Sequence, residues 1–159
     1  MNSARLIGAL CIAAALAADQ ISKAVAIAYS NTLAGGIPVF PGFNLVFLRN
    51  DGVTFGMLSG VPWWALSGLA LGIVTWLVVL LIQSKSRMEA AAYGLVIGGA
   101  LGNVADRFRL GAVTDFLDIY IGTWHWPAFN LADVGVVSGI SLLLLSELFK
   151  SRRPRKPSA

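Results

Sequence analysis

Four long apolar runs, at residues 6–28, 63–82, 88–105 and 129–149, alternate with more polar stretches. Each has about the 20-residue length that a helix needs to cross the hydrocarbon of a bilayer, once a polar residue or two is allowed near an end. The pattern predicts a membrane bundle of four helices. Two longer links, residues 29–62 and 106–128, then fall on one side of it. The first has a rhythm of its own. "GGIPVFPGFNLVFLRNDG" partly alternates apolar and polar residues, is rich in Val and Phe, and is bounded by Gly and Pro, so it predicts one or two short strands. Strands also pair backbone groups that a membrane surface leaves without water. In the second link, Tyr120, Trp124 and Trp126 of "IYIGTWHWPAF" suit the interfacial belt, and anchoring is a simpler reading of them than substrate contact. The expected fold is an all-α membrane protein with four transmembrane helices and a small extracytoplasmic β element between helices one and two.

Composition agrees with the pattern. A hydrophobic content of 57% over 159 residues and a mean hydropathy of +0.74 lie outside the range of soluble globular chains. Residues 1–150 read as one transmembrane domain, and residues 151–159 as a basic, disordered cytoplasmic tail. The net charge of +4 is concentrated at three places: Arg5, the Lys85/Arg87 link, and the tail from Lys150 to Lys156. The positive-inside rule places all three in the cytoplasm, so both termini are expected inside and the long links outside. A tail of this kind is a topology anchor, and no nucleic-acid partner is expected. The start, "MNSARLIGALCIAAALAAD", looks like a secretory signal, but apolar character resumes after Lys23 as "AVAIAY". An uncleaved first helix is therefore the better reading. Cys11 is the lone cysteine, which excludes a disulfide framework, and His125 is the lone histidine, which excludes paired-His zinc motifs. No metal and no cofactor is expected.

Polar groups are costly in a membrane and point to function unless a structural partner accounts for them. Asp19, Asp51, Asp106, Asp115, Asp118 and Asp133 all fall near the outer ends of the runs or in the outer links, whereas Glu89 and Glu147 fall at the other side and read as surface charges. Ser22 and Lys23 are sequence neighbours and point about 100° apart on a helix, which makes a poor nucleophile and base. "GAVTDFLD" faintly echoes half of a membrane phosphotransferase motif, one residue short and without its upstream partner. Two carboxylates sharing one proton remain: one stays an acid while the other polarises water for attack on a carbonyl. A small ion or proton carrier is the alternative, although its acids belong near mid-span rather than at the ends. Gly94, Gly98, Gly99 and Gly102, at spacings of three and four, would let either another helix or a lipid-bearing peptide approach the third run.

Four motifs in order, "DQISK", "NDGVTFG", "GGALGNVADRFRLGAVTDF" and "FNLADVG", together resemble the lipoprotein signal peptidases, or signal peptidase II, a family of bacterial inner-membrane aspartyl proteases. The resemblance implies removal of signal peptides from prolipoproteins just before a diacylglyceryl-modified cysteine, with membrane lipid as surroundings and a monomer as the working unit. It puts the two catalytic aspartates on Asp115 and Asp133. Asn50, Gly52, Asn103, Arg107 and Asn130 correspond to residues at the substrate site. Asp19 and Lys23, four apart on one helix face, read as a buried structural pair, and Asp106 as a structural partner or helix-end group. Thr54 stands where many family members carry Ala or Ser, and Asp118 has no counterpart and is expected to be solvated.

Overall fold

The computed structural model describes residues 3–52 and 61–151, so Thr54 and most of the basic tail lie outside the described residues. Four long helices are present: α1 (Ser3–Ala28), α3 (Trp63–Gln83), α4 (Arg87–Leu110) and α5 (Leu131–Ser151). A single short turn of helix, α2 (Ser30–Leu33), follows α1. The helix starts and stops obey local chemistry. Ser86 caps α4 by accepting the Glu89 N–H at 3.3 Å, and Gly111, at φ 72°, ends the helix in the left-handed conformation with its N–H on Arg107 O. Glu89, expected as a surface charge, is half-buried and accepts from Ser84 Oγ at 3.1 Å.

By length and apolar composition, α1, α3 and α5 qualify as membrane-crossing helices. The fourth expected run, α4, does not reach that composition, because it has charged residues at both ends and glycines through its middle. Its position explains this. α4 packs against all three of the others, running parallel to α1 and antiparallel to α5, so it needs small residues more than greasy ones. A Cβ on Gly94 or Gly98 would strike the α1 backbone at Gly8 or Ile12, and one on Gly99 would strike Ala132 O of α5. The four glycines therefore serve helix packing rather than a peptide groove. Val74, Leu77 and Leu81 of α3 close the other side of α4 on Val96 and Ile97. Gly102→Ala would press a methyl onto the Asp19 carboxylate, which is itself held by other bonds. This variant is expected to lose about 1–3 kcal/mol of stability, read as a lowered thermal midpoint in detergent. Gly68→Ala on α3, where a Cβ meets nothing within 4 Å, is the control and is expected to change little.

The β element is larger than the sequence pattern suggested. β1 (Ile37–Phe40) and β2 (Phe43–Asn50) come from the first link, but β3 (Val113–Ile121) and β4 (Trp124–His125) come from the second. Together they make one antiparallel sheet in the order β1-β2-β3-β4. β3 escaped the sequence reading because "VTDFLDIYI" has no clean alternation: its first four residues are all buried, covered on both faces. Phe116 packs with Ala26 of α1 and Leu33 of α2, and Leu45, Phe47, Leu117 and Leu131 complete this second core. The cluster fastens the sheet to the C-terminal end of α1 and the start of α5.

Candidate active site

Antiparallel pairing puts Val113 opposite Asn50 and Asp115 opposite Leu48, so Asn50 and Asp115 share one face of the sheet. Asn50 Nδ2 donates to Asp115 Oδ2 at 3.0 Å, and its Oδ1 accepts the Gly52 N–H at 3.1 Å. From the other side, Asn130 Nδ2 donates to Asp115 Oδ1 at 2.6 Å. Asp115 is buried, and burial is the main reason its pKa rises from 3.8 to about 6. The Asn50 bond opposes that rise, the nearby Asp133 charge adds to it, and the Asn130 bond and the more distant Lys23 oppose it again.

Asp133 is presented by a helix start. Asn130 is the residue before α5; its Oδ1 accepts the Asp133 N–H at 3.0 Å while Asp133 Oδ2 accepts the Asn130 N–H at 3.3 Å. This reciprocal cap satisfies two end N–H groups and fixes the Asp133 rotamer. Asp133 Oδ1 accepts from Asn103 Nδ2 at 2.9 Å. One amide, that of Asn130, therefore touches both aspartates, and it also donates to Asn103 Oδ1 at 3.2 Å.

A second layer lies behind. Lys23 Nζ sits 2.9 Å from Asp19 Oδ2, 3.6 Å from Asp106 Oδ2 and 2.8 Å from Asn103 Oδ1. Asp19 Oδ1 accepts the Ala132 N–H at 2.9 Å, and Asp106 Oδ2 accepts the Thr114 N–H at 2.9 Å. The buried pair thus ties α1 to α5, and Asp106 ties α4 to β3. Arg107 Nη2 donates to Gly52 O at 3.0 Å, and among the described residues its buried Nε meets no acceptor. All ten residues singled out from the sequence fall in this one region, drawn from α1, β2 and the turn after it, α4, β3, and the start of α5.

Sequence reasoning missed several contributors and misplaced one. Gln20 bridges Asp19 and Gly102 O with its Nε2, at 3.0 and 3.2 Å. A glutamine beside an aspartate inside an apolar helix was the available signal. Thr114, fully buried, accepts from Arg49 Nη1 at 2.9 Å, a cross-strand pair visible only once the register is known. Asp118 is buried rather than solvated: Asn44 Nδ2 donates to it at 2.8 Å, and His125 Nδ1 lies 2.9 Å from both its oxygens. The register places Asn44 opposite Asp118 and the β3–β4 turn brings His125 back, neither of which linear distance reveals.

Beside Asp133, a cavity of about 600 Å³ lies between the β3–β4 hairpin and α5, with Trp124, Trp126, Phe129, Val134 and Val137 in its wall. Its wall is mostly apolar, with Asp133, Tyr120 and Ser138 as the polar side chains. Chemically, the site offers two amide-held carboxylates, one of them biased toward its protonated form, next to an oily recess.

The shift on Asp115 has a consequence for stability. Its folded pKa lies above the unfolded one, so its contribution is fully present below about pH 3.8 and is lost as pH rises through about 6. Between pH 5 and pH 8 the wild-type protein is expected to lose roughly 1 kcal/mol relative to Asp115→Asn, which cannot ionise. Thermal unfolding of both proteins across pH measures this. A difference that stays constant with pH would show that burial does not strain the Asp115 charge.

Comparison with known proteins gives a consistent set of relatives. The family profile described as signal peptidase (SPase) II matches residues 11–149. The lipoprotein signal peptidase of Anaplasma marginale (strain Florida) is 41% identical over 146 residues, covering 91% of this chain and 85% of the relative. That of Yersinia pestis (strain Pestoides F) is 47% identical over 113 residues, 68% of this chain and 67% of the relative. Among solved structures, one described as a bacterial membrane enzyme superposes with a TM-score of 0.83 at 28% identity, covering 96% of this chain and 93% of the other. A second with the same description gives 0.77 at 30% identity, covering 89% and 92%.

Proposed function

This chain belongs to the signal peptidase II family, and from that premise we propose that it is an intramembrane aspartyl endopeptidase removing signal peptides from prolipoproteins on the amino side of the diacylglyceryl-modified cysteine. The observation that carries the reading is the Asn130 amide, which holds Asp115 and caps the helix that presents Asp133. In this mechanism a water between the two carboxyls gives a proton to Asp133 as its oxygen bonds to the scissile carbonyl carbon, and Asp115 gives its proton to the carbonyl oxygen. The resulting diol collapses as Asp133 passes its new proton to the amide nitrogen, Asp115 takes one back from a diol hydroxyl, and the C–N bond breaks to leave a carboxylic acid and an amine. Burial of Asp115 supports its role as the acid, since it enters the cycle protonated at a pH where an exposed carboxyl would not.

Arg107 Nε, a buried donor, suits a substrate carbonyl, and Asn50 and Gly52 form the turn that Arg107 leans on. Asn103 holds Asp133 beside the substrate. Asp19 and Asp106 are structural, and Lys23 joins them behind Asn103. The apolar cavity beside Asp133 supports a lipid-bearing substrate, whose acyl chains add roughly 0.8 kcal/mol of membrane attachment per buried methylene before any protein contact forms. All four long helices cross the inner membrane, α4 with the help of its neighbours; both termini are cytoplasmic, and the sheet and the aspartates lie at the outer face. The enzyme works as a monomer and needs neither metal nor cofactor.

The deciding experiment incubates purified protein in detergent with a diacylglyceryl-modified prolipoprotein and its unmodified form. Release of the signal peptide from the lipidated substrate alone is expected, and no release from either would overturn the proposal. Topology is checked separately. A cysteine introduced at Ser158 in a Cys11→Ser background is expected to resist an impermeant thiol reagent in intact spheroplasts and to react after lysis.

A further inference from the structure

We propose that Lys23 is a positioning residue for hydrolysis, holding the Asn103 side-chain amide in the one orientation that offers Asp133 a donor. The proposal rests on the assignment of Asp115 and Asp133 as the catalytic pair. An asparagine amide is almost symmetric in shape, and only its neighbours decide which end is oxygen and which is NH2. For Asn130 the decision is made by backbone, because the Asp133 N–H can only donate and so holds Asn130 Oδ1. Among the described residues, no backbone group holds the Asn103 side chain. Its Oδ1 faces Lys23 Nζ at 2.8 Å and Asn130 Nδ2 at 3.2 Å, and its Nδ2 faces Asp133 Oδ1 at 2.9 Å.

An ammonium has three donors and no acceptor, so the Asn103 oxygen must turn toward Lys23, and the NH2 group must turn toward Asp133. The constraint is a stiff one. Lys23 is 1% exposed, and Asp19 and Asp106 fix its nitrogen from two other helical positions. Without Lys23, only the longer bond from Asn130 Nδ2 opposes a turn of Asn103 that presents its oxygen to Asp133, and that contact forms only when the carboxyl carries a proton. A protonated Asp133 cannot take one from water. The cation thus acts on the reaction across one amide, without a hydrogen bond to Asp115 or Asp133 among the described residues.

The charged groups around this point are Asp19 and Lys23 from α1, Asp106 and Arg107 from α4, Asp115 from β3 and Asp133 from α5. A through-space effect of the Lys23 charge must therefore be separated from an effect through the amide. A double-mutant cycle does this, with Lys23→Met, Asn103→Ala and the pair, measured as kcat, KM and pH profile on a lipidated substrate. Lys23→Met is expected to lower kcat roughly 10- to 100-fold with less than a threefold change in KM, and to move the acidic limb of the profile up by about one pH unit. In the Asn103→Ala background the same replacement is expected to change neither. If Lys23→Met fails to fold, the charge-balanced pair Asp19→Asn/Lys23→Met replaces it, since Asn keeps an acceptor for the Ala132 N–H.

A limb shift that persists without Asn103 would mean that the charge acts through space and would overturn the proposal. So would a normal profile in folded protein lacking Lys23, which would leave the residue a purely structural part. Full activity of Asp115→Asn or Asp133→Asn would instead overturn the catalytic pair itself, a separate result.

Discussion

Asp115→Asn, Asp133→Asn and the double variant are all expected to fall to the same residual cleavage rate, a loss of roughly 10³-fold or more. The reason is that acid and base act in one step on one water. Removing either carboxylate leaves the other without its counterpart, so the second removal costs little. Asn keeps the shape, and Asn at 133 can still accept the Asn130 N–H that completes the α5 cap. Each variant is thus expected to accumulate in the membrane and to bind lipidated peptide. The wild-type profile is expected to be bell-shaped, since the doubly ionised and doubly protonated pairs are both idle. Rates for the four proteins on one substrate across pH decide the matter. Losses that multiply in the double variant would show two independent groups rather than a pair.

The next largest effect is expected at Asn130, which does three things with one amide. It donates to Asp115, it donates to Asn103, and it caps α5 beneath Asp133. Asn130→Ala is expected to cost roughly 10²-fold in kcat through misplacement of both aspartates, together with about 1–2 kcal/mol of stability from the lost cap. Asn130→Asp separates the two roles. It keeps a cap, so the thermal midpoint is expected to recover in part, but it sets a third carboxylate against Asp115 and is expected to leave the rate as low as in the Ala variant. Arg107→Ala, which removes a contact to the Gly52 carbonyl and a donor for substrate, is expected to act more on KM than these. Asn130→Asp with near wild-type turnover would show that the amide's donors do not matter.

What the sequence revealed and what it withheld divide along physical lines. Apolar runs predicted the positions of the long helices, because burial in lipid constrains every residue of a span. The same logic describes α4 less fully: its partners are other helices, so close approach counts for more than hydropathy. The i, i+4 pair Asp19 and Lys23 was legible as a buried one, whereas Asn130, expected at the substrate site, also caps α5, which the sequence reading did not foresee. Sheet contacts were not legible. β2 shifts register between Leu45 and Leu48, and that one irregularity decides that Asn44 meets Asp118 while Asn50 meets Asp115. Nothing in the linear order of "FNLVFLRN" announces it.

The site takes its groups from positions 19 to 133, and its last carboxylate stands on α5, after the other three long helices and all four strands. During synthesis a chain that has inserted everything up to β4 still lacks Asp133, the Asn130 cap and the Ala132 N–H that Asp19 awaits. Under the proposed mechanism, hydrolytic competence is then an all-or-nothing event at the end of biosynthesis. No inhibitory propeptide is required to keep an unfinished protease silent among the nascent chains sharing its membrane, because order of emergence performs that task.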